Sequence, residues 1–419
     1  MAATDHGGRR LSSALQALTA SALLLPGVQS ALAQDTTGDS ANVQFSSFSE
    51  GRRNTALDTR ADPLHAYTVE LNATKILPDG NALHVGLLQD SWSGATPVTV
   101  APAAFGGNRP VLVNAGSGTA VAGASPVVNG SLLLDRTLRP VQGGGDELVL
   151  SSASPEVRKQ VELGYDINAP TRHHAVDAGY STEPDFRSWH ADWHSRFDFN
   201  RQQTTLAIGA GYVHSDIDAR LDPALLPYLS LDPDSPSYHR NGANVTMQGV
   251  RTDRNLSLGL TQVLNHDAVI DISASVEASD GLLSNPYKAM TVLFVPPEAL
   301  AAGAGTFSAD VRALPEQRPD ERRQQSVDVR YVQYFGATDA ALHVDAGYSH
   351  DDWGIASGSI ELQWVQPLGN WQLSPRVRWY SQTAADFHAP YLVTPQHFRA
   401  IARDSQGREL WHDTANANL

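Results

Sequence analysis

The sequence predicts an all-β protein, an antiparallel up-and-down transmembrane β-barrel with 13 strands in this chain, long loops on one rim and short turns on the other. Three observations carry that prediction. First, Trp189, Ala191, Trp193, Phe197 and Phe199 share one face of a segment with Ser195, while His190, Asp192, His194, Arg196 and Asp198 share the other. Successive side chains of a strand point to opposite sides, so this segment presents one face to oil and one to water, as a barrel strand does. Second, the same two-residue period returns at regular intervals down the chain. Third, tight turns alternate with long excursions, which is the loop pattern of outer-membrane barrels.

Taken in order, 41–50, 67–77 and 81–92 are weaker candidates, and the first clean alternation is 157–167, where Val161, Leu163 and Ile167 oppose Arg158, Gln160, Glu162 and Asp166. A weaker segment at 173–181 follows, then 189–199 and 205–212, and another weaker one at 248–264. At 268–277 isoleucines and Val276 oppose Asp271, Ser273, Ser275 and Glu277, and 326–335 sets Val327, Val329 and Tyr331 against Asp328 and Arg330. The last three are 342–348 (Leu342, Val344, Tyr348 against His343, Asp345), 360–364 (Ile360, Leu362, Trp364 against Glu361) and 371–379 (Trp371, Val377, Trp379 against Arg376, Arg378). Residues that accept turn geometry sit at 78–81, 168–170, 200–201, 265–267, 336–339 and 368–370. The longer excursions are 51–66, 93–156, 218–246 and 281–323.

Residues 1–33 read as an export signal, with Arg9 and Arg10 before an apolar run and Ala31-Leu32-Ala33 as the cleavage site. The barrel would occupy 34–383. Single-chain bacterial barrels have even strand numbers, and 384–419 is a polar C-terminal loop without an amphipathic strand. The expectation is a chain that ends before its closing strand, the intact protein having 14.

Composition narrows the function classes. A net charge of −15 offers no basic stripe for nucleic acid. No stretch of about 18 uncharged apolar residues follows the N-terminal region, which excludes a bundle of membrane helices. The absence of cysteine removes disulfides, thiol catalysis and thiolate metal sites.

The candidate lumen lining is His190, Asp192, His194, Arg196, Asp198, Arg330, Asp345, Glu361, Arg376 and Arg378. Two histidines flanking Asp192 suggest a metal, but same-face neighbours on a strand lie about 7 Å apart, so a polar wall is the better reading. Asp216, Asp218, Asp222, Asp232 and Asp234 crowd one outer loop without calcium-loop spacing. Ser215 with His214, or His350 with Asp351 and Asp352, are the only candidates for a rim hydrolase, and no G-x-S-x-G nucleophile turn is present. Neither cofactor nor metal is implied, and the chain is not expected to be an enzyme.

Several motifs resemble the bacterial family known as domain of unknown function 3570. They are Phe48-Ser49-Glu50 with Arg52 and Arg53, then Asp90-Ser91-Trp92-Ser93-Gly94-Ala95-Thr96-Pro97, and then Tyr180-Ser181-Thr182-Glu183-Pro184-Asp185-Phe186. A further stretch runs from Thr204 through Gly209-Ala210-Gly211-Tyr212 to Ile217. The resemblance implies an outer-membrane barrel with a signal peptide and assigns no substrate. Small residues and Pro97 in the second motif read as a tight backbone corner where the third strand gives way to its loop. The resulting expectation is a monomeric, porin-like protein of a Gram-negative outer membrane, whose partners are outer-membrane lipid, the barrel-assembly machinery and a small polar solute. The alternatives are an accessory barrel that anchors an envelope assembly through its outer loops, and the rim hydrolase.

Overall fold

The computed structural model describes residues 38–397 except 51–52, 55–59, 62–63, 103–128, 142–145, 221–237, 242–243, 287 and 304, together with 402–403 and 409–410. The expected export signal, Asp222, Asp232, Asp234 and the end of the C-terminal segment lie outside the described residues.

The strands are β1 (Ser40–Ser49), β2 (His65–Ile76), β3 (Ala82–Pro102), β4 (Asn129–Asp135), β5 (Asp146–Ala169), β6 (Arg172–Thr182), β7 (Phe186–Phe199), β8 (Thr204–Arg220) and β9 (Asn244–Asn265). They continue with β10 (Ala268–Gly281), β11 (Ala289–Phe294), β12 (Thr306–Pro315), β13 (Glu321–Phe335), β14 (Ala340–Asp351), β15 (Ala356–Leu368), β16 (Trp371–Leu373), β17 (Arg376–Gln382) and β18 (Leu392–Thr394). A short helix, α1 (Pro297–Ala301), precedes β12. The main sheet runs β1-β2-β3-β5-β6-β7-β8-β9-β10-β13-β14-β15, after which β16 and β17 both pair with β15. Because β16 and β17 share one position, interrupted at Ser374-Pro375, the sheet has the 13 positions read from the sequence. Its neighbours along this path are all antiparallel.

Polarity in this sheet is inside out. On one face Leu163, Leu256 and Trp379 are 58%, 65% and 60% exposed, while on the other Ser188, His190, Asp253 and Ser279 are buried. A single sheet layer can cover its side chains only on a concave face, so the wall curls around the polar side and offers its apolar side outward. In water that arrangement would leave a large apolar surface uncovered; lipid is the solvent that suits it. Trp193 is outward and exposed, as its odd position predicts.

Turns on one rim are all short. They use left-handed residues, Gly80 (φ 84), Asn200, Arg201, Gln202, Asp339 and Gly369, which explains the Gly, Asn and Asp content read there. The opposite rim carries the long excursions, together with two tight connections at 183–185 and 352–355.

Two expectations about that rim are corrected. Residues 93–97 do not form a corner: β3 runs on to Pro102 against β5, with register irregularities at Trp92/Gly94 and Pro97/Thr99. A bulge absorbs an extra residue and a proline without ending the ladder. Nor are 281–323 and 384–419 simply loops. β18, β11, β12 and β4 form a separate four-stranded sheet, with β18 parallel to β11. Leu134, Leu293, Val295, Phe307, Ala309 and Val311 make its dry core, with Leu300 of α1 packed against it. The continuous apolar run Val292–Val295 has no two-residue period because both of its faces are covered. β11 also touches the extended β3, so this cap rests on the long-loop rim.

Candidate functional site

The polar face of β7 is set by register. His190, Asp192, His194 and Arg196 stand opposite Gly179, Asp177, Ala175 and His173 of β6, and opposite Val213, Gly211, Gly209 and Ala207 of β8. All ten expected lining residues occupy positions on this polar face. Those on β7 lie well apart along the sheet from Arg330 of β13, Asp345 of β14, Glu361 of β15, and Arg376 and Arg378 of β17.

The second group forms a braced patch. Arg330 Nε donates to Asp345 Oδ1, Glu361 stands opposite Asp345 in register, and Arg376 Nε lies 3.2 Å from Glu361 Oε1. Arg378 faces Glu361 across the β15–β17 ladder and sits 6.0 Å from the Tyr380 ring. On β7, Arg196 Nη2 is 3.6 Å from Asp198 Oδ2, whose partner oxygen accepts from Thr205 Oγ1 at 2.7 Å. Near the outer rim Arg251 grips Asp253, which also accepts from Ser279 Oγ, and Arg322 grips Asp351 at 2.6 Å. Asp351 is buried and also accepts from the backbone N–H groups of Trp353 and Ile355, which closes the tight 352–355 turn.

Glycines form the floor beneath the β7 row. A Cβ at Gly211 would fall 2.4 Å from Asp192 Oδ1 and 2.6 Å from Asn255 Oδ1. At Gly209 it would meet Ser257 Oγ at 2.6 Å and His194 Nδ1 at 2.8 Å, and at Gly179 His190 Cε1 at 2.3 Å. The polar side chains therefore lie flat across neighbouring strands, held at fixed positions on the wall. Sequence reasoning missed Asp177, Asn255 and Ser257. Their alternation was visible, but the register that brings them to Asp192 and His194 was not.

Among the described residues no three His, Asp or Glu side chains are placed to hold a metal ion. His190 Nε2 and Asp192 Oδ2 are 4.0 Å apart. The pairs Ser215–His214 and His350–Asp351 come apart for the reason strands alternate, while Asp352 accepts from the Arg323 N–H at 2.9 Å. His214 is outward beside Trp189, with ring centroids 5.8 Å apart, while Ser215 is inward and buried. His350 shares the outward face of Tyr348, whereas Asp351 is inward against Arg322.

Compared with known proteins, the chain matches a family model described as protein of unknown function (DUF3570) over residues 15–405. The chain belongs to this family. No curated protein matches it in sequence. Among solved structures it is similar to outer-membrane expressed OmpT of Vibrio cholerae, at 10% identity over 82% of this chain and 88% of that one, with a TM-score of 0.35. It is also similar to a refined porin (12%, 83% and 96%, TM-score 0.32) and to a mutant of the monoaromatic hydrocarbon channel TodX (11%, 82% and 86%, TM-score 0.30). Likeness at these scores carries nothing about solute or activity.

In this family member the motif segments 90–97 and 180–186 meet at the long-loop rim. Arg158 of β5 makes a bidentate pair with Asp90 of β3, its Nε donating at 3.0 Å. Glu183, whose N–H donates to Phe186 O, and Asp185, whose carbonyl accepts from Asp218 N, form the tight connection beside that pair. Glu156 completes the cluster: burial, with the carboxylates of Glu183 and Asp185, pushes it up to about 7. Burial also raises Glu183, against the pull of Arg158. Of the other motif residues, Tyr180 is outward and exposed, in register with Trp189. Ser91 and Ser93 pair with Tyr67 and His65, while Gly94, Ala95 and Pro97 continue the β3 ladder.

Proposed function

We propose that this protein is an outer-membrane pore that passes small polar solutes through a lumen lined by the concave face described above. The observation that carries this reading is the inside-out sheet: polar and ionic side chains on the covered face, exposed apolar ones on the other. Strand number supports it. Eight-stranded barrels are filled by their own side chains and barrels of 16 strands hold a channel, so 13 or 14 positions leave space, the more so where glycine lines the wall. Export with signal cleavage after Ala33, a monomeric state and insertion by the barrel-assembly machinery belong to the same proposal.

Single-channel recording in planar bilayers tests it. Discrete conductance steps are expected from the detergent-extracted full-length protein, and a silent but fully inserted protein rejects the pore.

A second reading has one observation in its favour. The packed cap of β4, β11, β12 and β18 is a preformed outer surface with its own core, suited to docking an envelope partner. Silent bilayers together with a specific crosslink from the cap favour this accessory role.

A further inference from the structure

We propose that the lumen selects for cations, through wall carboxylates that no arginine neutralises, Asp177 and Asp192 foremost. The inference rests on the pore reading and adds the solute's charge.

The argument begins with what the arginines do. Arg158, Arg196, Arg251, Arg322, Arg330 and Arg376 each have a carboxylate within 4.0 Å on the same polar face. Arg378 stands opposite Glu361 in register. Six of these arginines are thus locally cancelled, and only Arg378, which shares Glu361 with Arg376, is left over for an incoming anion. The carboxylates are not all used in return. Glu162, Asp177, Asp192 and Glu277 face the lumen by register, and none is joined to an arginine among the described residues.

Asp177 and Asp192 are direct cross-strand partners on one face. Like charges so placed repel, and the sheet gains nothing from them. Their positions are nevertheless built. Asp192 lies over Gly211 and Asp177 over Gly164, where a Cβ would fall 2.3 Å from Asp177 Oδ1. That same Oδ1 is buried, with no hydrogen-bond donor among the described residues. The two side chains lean to opposite neighbours, and neither carboxylate is neutralised by an arginine, so their charge adds to the field that a passing cation meets. His190 and His194 flank the pair on β7, and Asn255 reaches the same spot from β9 over Gly211. The chemistry that fits is a small inorganic or organic cation, including a protonated amine, bound weakly enough to leave. A cleft lined by one sign of charge concentrates counter-ions by about tenfold or more.

The experiment is the reversal potential of single channels from the full-length protein in a KCl gradient. The expected result is K⁺ preferred over Cl⁻ by about tenfold, the lower end of that range. Asp177→Asn with Asp192→Asn should lower that ratio several-fold while conductance persists. Glu162→Gln, which leaves Asp177 and Asp192 intact, should give a smaller shift and serves if the double variant fails to insert. Channels that show no cation preference, or a preference unchanged in both variants, overturn the inference and leave the pore standing. Absence of any channel removes the pore reading itself.

Discussion

Replacing Leu163 by arginine separates a lipid-facing wall from a water-facing one. Leu163 lies on the outward face of β5, four residues below the exposed Lys159 and six above Ala169 at the short-turn rim. At about 3.3 Å per residue and a tilt of about 40°, it sits roughly 10 Å inside one edge of the apolar band and roughly 15 Å from the other. That is close to the midplane of a band about 25 Å tall, where an arginine costs about 2–4 kcal/mol. The folding equilibrium constant in lipid should therefore fall by about 30- to 700-fold. Glu162→Arg, one residue away on the lumen face, should cost less than about 1 kcal/mol. The assay is urea titration of protein in lipid vesicles, read by heat-modifiable gel mobility. If the two variants agree within about 0.5 kcal/mol, as expected for exposed positions of a water-soluble sheet, the assignment of faces is wrong.

Other perturbations follow from the same geometry. Asp351→Ala leaves Arg322 and two backbone N–H groups of the 352–355 turn without their acceptor, and should lower stability by about 2–4 kcal/mol in the same titration. Gly179→Val places a Cβ against His190 and within 2.9 Å of the Val161 carbonyl, at an expected cost of about 1–3 kcal/mol. Glu156 is pushed up to about 7 from 4.5, so folding favours its protonated form. Its contribution is present below about 4.5 and lost as pH rises through 7, so the urea midpoint should fall between pH 5 and 8. Glu156→Gln should flatten that fall, and an unchanged slope contradicts the buried rim cluster.

The barrel was legible because lipid contact imposes one rule on every strand. Leu256, Leu258 and Leu260 must be apolar wherever they touch hydrocarbon, and the alternate residues are free to be polar. The cap was not legible, because two of its three pairings, β4 with β12 and β18 with β11, join segments a hundred or more residues apart. Val292–Val295 is apolar without a period, which suits a buried helix as well as a buried strand. Gly94 and Pro97 read as chain breakers, yet a bulged ladder tolerates both. In the site, the row from His190 to Asp198 was visible and its partners were not. Gly179, Gly209 and Gly211 look like gaps in a polar row, whereas register makes them the floor on which that row lies.

Ion pairs along the wall also predict an effect opposite in sign to that of removing a carboxylate. Arg330 and Asp345 cancel each other at a site open to the lumen, with side-chain exposures of 55% and 32%. What a solute meets is therefore set by the carboxylates that have no arginine, while the paired ones are nearly silent. Arg330→Gln keeps a long polar side chain and removes the cancelling charge, so Asp345 becomes visible beside Glu361. Cation preference in the KCl gradient should then rise above wild type, by a factor of about two if one more charge joins the roughly tenfold field of the wall. Were arginines instead the groups that recognise solute, the same variant would lose permeation of an anionic probe and show no gain for K⁺. The direction of that single shift decides whether the wall's arginines brace it or bind for it.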